Sequence, residues 1–288
     1  MSKTVQNLSR LVVIEHSIFA LPFVFASFLM AYRQGPLIQT HAIFVLVLLM
    51  VCCAVTARSA AMGFNRLVDL EFDKANPRTA NRELVTGEVS KFSVSLLVLV
   101  SGSGFIFCSY LIGPHCAILA PWVLVFLFFY SLTKRFTAIS HLVLGIALGL
   151  APGGAWWILR PQVEAVPLIL IAAVSFWVAG FDTIYACQDL DFDRSNKLHS
   201  IPAMLGIRSA LRVAKFFHAL SIVLLMLVGV KLDFGATYFL GMLPIAMMFN
   251  HQHLLVREDD LSKLNRAFFT VNGWVALYYL LLVAVLSY

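Results

Sequence analysis

Long apolar runs alternate with short polar connectors along the whole chain. Residues 12–32, 34–57, 136–159, 165–187, 216–230, 234–250 and 267–288 each read as one run. The stretch 92–133 carries no charge and is long enough for two, broken at Gly113, Pro114 and His115. A helix that crosses a bilayer needs about 20 mostly apolar residues. The pattern therefore predicts nine transmembrane helices, an all-α integral membrane protein and one polytopic domain over residues 1–288. Two runs contain acidic groups: Glu15, beside His16, opens the first, and Asp182 lies inside the run at 165–187.

Composition supports the bilayer. Of the 288 residues 60% are hydrophobic and 12% charged, against about 25% charged in a soluble domain. The net charge of +6 does not point to nucleic acid, because the basic residues sit at the ends of the apolar runs. Placing the N-terminus in the cytoplasm puts 18 of the 21 Lys and Arg residues on that side, leaving Arg33, Arg160 and Lys231 on the other. That asymmetry predicts the N-terminus inside, the C-terminus outside and a bacterial inner membrane as the setting. The five cysteines form no CxxC pair and read as small core residues. SGSGF at 101–105 lies in an uncharged run and reads as helix packing. His251 and His253 are too few ligands for a metal site. No protein partner is indicated.

The acidic residues are concentrated. Nine of the 15 Asp and Glu fall between Asp69 and Glu88 or between Asp182 and Asp193. Within them one phrase occurs twice: residues 69–76 read DLEFDKAN and residues 189–196 read DLDFDRSN. Asn65, Asp69 and Asp73 recur at i, i+4, i+8, and Asp182, Tyr185, Asp189 and Asp193 at i, i+3, i+7, i+11, so each set shares one helix face. Like charges so placed repel, and a divalent cation would offset them. Carboxylate oxygens suit Mg²⁺, which completes its shell with water and phosphate oxygens. Two facing clusters can hold Mg²⁺ ions with a diphosphate between them. Arg78, Arg82, Lys134 and Arg194 stand near the clusters and can take the remaining phosphate charge. An EF-hand is excluded, since its glycine position is Lys74 or Arg194. His199, just past the second cluster, either reaches the site or serves the loop. Glu15 and His16 either touch a polar substrate or sit at the interface.

These residues resemble a known family. NxxxDxxxD at Asn65, Asp69 and Asp73, with DxxYAxxDxxxD from Asp182 to Asp193, is similar to the UbiA superfamily of intramembrane aromatic prenyltransferases. The flanks RTANREL and LHSIPAMLG agree. The resemblance implies nine helices around a central cavity. It implies that Asn65, Asp69, Asp73, Asp189 and Asp193 hold Mg²⁺ against a polyprenyl diphosphate, assisted by Arg82 and Lys134. The allylic C–O bond then ionises, with Tyr185 shielding the cation, and an electron-rich aromatic ring attacks it. The implied acceptor is 4-hydroxybenzoate, on the way to ubiquinone. The opening EHSIFALPF departs from that group and is similar to a branch serving menaquinone, whose acceptor is 1,4-dihydroxy-6-naphthoate.

Two other classes were weighed. A CDP-alcohol phosphotransferase would need an Asp-Gly ahead of the cluster, which is missing. A transporter would carry its acids at mid-membrane, whereas all of these but Asp182 fall at the ends of apolar runs.

Overall fold

The computed structural model describes Leu11 and residues 17–287, and those residues form helices, turns and loops with no strand. The helices, in order, are α1 (Ser17–Arg33), α2 (Ile43–Val68), α3 (Leu70–Ala75), α4 (Lys91–Ile112), α5 (Ala120–Thr133), α6 (Ser140–Leu159) and α7 (Ala165–Ala186). They continue as α8 (Leu190–Ser195), α9 (Ile201–Leu205), α10 (Ile207–Lys231), α11 (Ala236–Leu255) and α12 (Asn272–Leu286). A helical turn, Pro114–Ala117, precedes α5, and a π-helical stretch, Arg266–Val271, precedes α12.

Among the described residues seven helical spans are long and apolar enough to cross a membrane. The two remaining runs of the hydropathy pattern correspond to Ala20–Arg33, a shorter apolar helix, and to α11, which carries Asn250, His251, Gln252 and His253 in its last turns. The chain is thus a multi-pass, all-helical membrane protein. Helix boundaries overrun the apolar runs. α2 continues past Ala57 to Val68 and so places Arg58, Asn65 and Arg66 on a helix. α10 begins nine residues before its apolar run and includes Arg208, Arg212 and Lys215. Long basic side chains keep their heads in water while the stems stay on the helix.

The chain divides into two compact units. The first comprises Met1–Ser17 and Gln39–Leu132. Its longest contact is α2 against α4. A Cβ at Gly63 would lie 2.8 Å from Val98, and Gly104 approaches Thr56, so glycines set that spacing. SGSGF serves packing, as its uncharged setting suggests. Residues 76–90 fold back in tight turns over an apolar cluster of Leu11, Leu70, Leu84, Val89 and Val94.

The second unit comprises Ile18–Ile38 and Thr133–Tyr288. Its Ala165–Ser195 span is the most buried of the seven, with α6 and α10 packed along α7. Gly145, Gly149 and Gly153 recur at i, i+4, i+8 on α6 and let the two backbones touch. A Cβ at Gly149 would fall 2.6 Å from the Ile171 carbonyl oxygen. Phe23 of α1 packs between Trp177 and Tyr279, with ring centroids 4.8 and 4.9 Å away. Arg33 donates to the Leu286 carbonyl at the end of α12, where a cation is favoured. At the α6–α7 connection Arg160 grips Glu164. That hydrogen bond holds the Glu164 carboxyl below its ordinary range, against a smaller opposing effect of burial.

Gly149→Leu is expected to destabilise the protein by at least about 2 kcal/mol, because the overpacked contact is backbone and cannot move aside. Gly154→Ala, with open space around it, should leave the melting temperature unchanged or higher. Thermal unfolding in detergent micelles checks both.

Candidate active site: two acidic turns

The two copies of the acidic phrase adopt the same local structure. α2 stops at Val68, and Asp69 takes φ −94°, ψ 6° before α3 begins. In the second copy a 3₁₀ turn, Cys187–Asp189, ends at Asp189 with φ −98°, ψ 7°, and α8 follows. Both aspartates lie in the sparsely populated region between α and β where active-site residues are often found. Each opens a helix of six residues. The fifth matched residue closes each turn alike: the backbone N–H groups of Asn76 and Asn196 donate to the carbonyls of Phe72 and Phe192 at 3.0 Å. The helix is therefore interrupted once in each copy, at Asp69 and at Asp189, while Asn65 and Asp69 still meet four residues apart. The break re-aims the residues that follow it.

The second aspartate of each copy is buried and faces a cation. Asp73 is 7% exposed, and Arg82 Nη1 lies 2.6 Å from both of its carboxylate oxygens. Asp193 is fully buried, and Lys134 Nζ lies 2.8 Å from its Oδ1. Its Oδ2 accepts a hydrogen bond from the Ser200 hydroxyl at 2.8 Å. An uncompensated charge at that depth costs several kcal/mol, which explains the pairing. The sequence pattern assigns charge compensation to a divalent cation. In the structure Arg82 and Lys134 supply it for Asp73 and Asp193. The first aspartates differ: Asp69 accepts a hydrogen bond from Asn65 Nδ2 at 2.8 Å, and Asp189 is buried at the end of its 3₁₀ turn. Glu71, on the exposed side of α3, is held below the usual carboxylate range by its hydrogen bond from Lys74.

Other expected site residues are placed less directly. The Arg78 side chain is exposed, and its backbone N–H donates to Asn76 Oδ1. Arg194 is also exposed and donates to the Ala203 carbonyl at 2.9 Å. The His199 side chain is exposed, but its backbone N–H donates to the Lys134 carbonyl at 2.7 Å. Tyr185 packs against Phe268, the rings tilted by 34° with centroids 4.2 Å apart. Phe268 belongs to the π-helical stretch, whose freed carbonyls at Ala267 and Phe268 are taken by Gln252 and Asn272. Asp182 accepts a hydrogen bond from His141. Glu15 and His16 lie outside the described residues. His253 pairs with His218 at 2.9 Å, while His251 is exposed.

Sequence reasoning missed His141, Ser200, Phe268 and Arg66. Arg66 is 7% exposed, and its Nε has no hydrogen-bond partner. Its place next to Asn65 was the available signal.

A profile of the UbiA prenyltransferase family matches residues 20–285. The chain belongs to the UbiA prenyltransferase family. One relative is the 4-hydroxybenzoate octaprenyltransferase of Francisella tularensis subsp. mediasiatica, 28% identical over 235 residues that cover 81% of each chain. The apo structure of a UbiA homolog from Aeropyrum pernix K1 superposes with a TM-score of 0.82 at 32% identity, covering 94% of this chain and 98% of that one. A UbiA homolog from Archaeoglobus fulgidus, solved bound to DMAPP and Mg²⁺, shares the fold with a TM-score of 0.70 at 16% identity, over 97% of this chain and all of its own. In this UbiA-family chain, among the described residues, no three His, Cys, Asp or Glu side chains gather into a closed metal cage.

Lys134→Met is expected to lower stability by roughly 2–4 kcal/mol, because it leaves Asp193 buried and unpaired. Adding Asp193→Asn should restore most of that loss. Thermal melts of the single and double variants measure it; equal loss in both would remove the ion pair from the account.

Proposed function

We propose that this UbiA-family protein transfers a polyprenyl group from polyprenyl diphosphate to 4-hydroxybenzoate in respiratory quinone synthesis, with Mg²⁺ as its cofactor. The observation that carries the reading is the repeated acidic turn, built twice with one backbone conformation and one buried, cation-paired aspartate. The relative's name supports the acceptor, and the carboxylate and amide oxygens present suit the metal.

Asn65, Asp69 and Asp73 on the first turn, and Asp189 and Asp193 on the second, would hold Mg²⁺. Bound there, Mg²⁺ draws charge from the diphosphate and makes it a better leaving group. Arg82 and Lys134 sit on the same carboxylates and supply cationic N–H groups for phosphate oxygens. Arg78 and Arg194, both exposed, serve the entry of an anionic substrate. The Tyr185 ring, fixed by Phe268, offers its face to the developing allylic cation. The apolar helices keep water from capturing that cation. The whole chain acts as one prenyltransferase in a bacterial inner membrane, with its N-terminus and both acidic turns on the cytoplasmic side and its C-terminus periplasmic. Both substrates and the surrounding lipid are its partners.

Membranes containing the protein would be given a polyprenyl diphosphate, Mg²⁺ and equal amounts of 4-hydroxybenzoate and 1,4-dihydroxy-6-naphthoate. The expected product by mass is the prenylated benzoate, lost with EDTA and restored by Mg²⁺. A naphthoate product would move the protein to menaquinone synthesis, as its opening segment suggests. No product from either would overturn the reading. Asp69→Ala and Asp189→Ala are each expected to lower kcat by at least about 100-fold with the melting temperature nearly unchanged; normal turnover in either would remove that turn from the metal site.

A further inference from the structure

His141 and Asp182 come from different helices and meet inside the second unit. His141 is the second residue of α6 and is 3% exposed. Asp182 lies on α7, with its side chain 24% exposed. The ring Nδ1 is 2.7 Å from Asp182 Oδ2. On the other side of the ring, the backbone N–H of Ile201 donates to Nε2 at 3.3 Å. A backbone amide only donates, so Nε2 presents its lone pair and the ring proton sits on Nδ1, directed at Asp182.

The donor on Nε2 belongs to the segment that builds the second acidic turn. Residue 199 holds the Lys134 carbonyl, Ser200 holds Asp193, and Ile201 holds His141. One three-residue segment thus fixes the cation, the buried aspartate and, through the imidazole, Asp182. Asp182 precedes Asp189 by seven residues, or about 10 Å along a helix. Among the described residues no other Asp or Glu lies inside a long apolar helix. A carboxylate at membrane depth calls for a function, and neither metal nor diphosphate binding accounts for one placed that far along.

We propose that His141 is a positioning residue that holds Asp182 to take the proton released by the aromatic acceptor. This inference rests on the prenyl-transfer reading above. The donor C–O bond breaks, and its electron pair leaves with the diphosphate. A π pair of the ring forms the new C–C bond. The C–H pair then returns to the ring, and the proton goes to Asp182 Oδ1, the oxygen not held by His141, and on to water. His141 takes no proton in this step, since Ile201 occupies Nε2.

Two substitutions separate this role from simple packing. Glutamine carries both a donor and an acceptor, whereas leucine carries neither. His141→Gln is expected to keep kcat within about threefold of wild type, and His141→Leu to lose at least about tenfold, with KM for the polyprenyl diphosphate unchanged. Asp182→Asn should show the same loss. Wild-type kcat in His141→Leu, an equal fall in both His141 variants, or a loss seen mainly in donor KM would overturn the proposal. A second readout needs no turnover. The ¹⁵N spectrum of histidine-labelled wild-type protein, assigned against His141→Gln, should show His141 protonated at Nδ1, and protonation at Nε2 would overturn the geometry. A wild-type protein that makes no product while showing the Nδ1 signal would sink the functional reading and leave the His141–Asp182 pair standing.

Discussion

A carboxylate at the end of an apolar helix has to be neutralised, and much of this structure is arranged around that requirement. Asp193 is fully buried and Asp73 nearly so. Each therefore needs a cation within contact distance. The first unit meets the need by folding residues 76–90 back over α3, which brings Arg82 onto Asp73 from nine positions later. The second meets it from the turn ahead of α6, where Lys134 reaches Asp193 beside a segment that residue 199 and Ser200 tie to the same two groups. Different loops thus solve one electrostatic problem in two turns of the same backbone shape.

That solution bears on the proposed chemistry. Arg82 and Lys134 satisfy the carboxylates of Asp73 and Asp193. With Mg²⁺ and a diphosphate bound, the metal would carry much of that compensation, and the same two cations would become available to phosphate oxygens. The aromatic side of the site depends on a separate device. The π-helical stretch ahead of α12 widens the backbone, places Phe268 on Tyr185, and leaves carbonyls that Gln252 and Asn272 take up.

The apolar runs and the repeated phrase were legible in the sequence because each is a local signal. Hydropathy reads burial in lipid directly, and an acidic octet stands out in an apolar chain. The partnerships of Arg82 and Lys134 were half legible: their nearness to the clusters was visible, while their pairing with Asp73 and Asp193 depends on how the loops return. The contacts of Arg194 and His199 depend on the same loop return, and His199 takes the loop role that its sequence left open. Arg194 turns to a helix-end carbonyl, and His199 acts through its backbone, which no side-chain reading predicts. The link between His141 and Asp182 joins residues 41 apart on two helices, with no spacing rule to announce it. The ends of α2 and α10 were misplaced because basic side chains at a membrane boundary do not stop a helix.

The account rests on the claim that the acidic turns recruit a diphosphate through Mg²⁺. The most direct measurement is calorimetric binding of a non-ionisable thio analogue of a prenyl diphosphate to purified protein, with and without Mg²⁺. The account predicts binding that requires Mg²⁺ in wild type and is lost in both Asp69→Asn and Asp189→Asn. Binding of equal strength without the metal, or binding that survives in both variants, would contradict it.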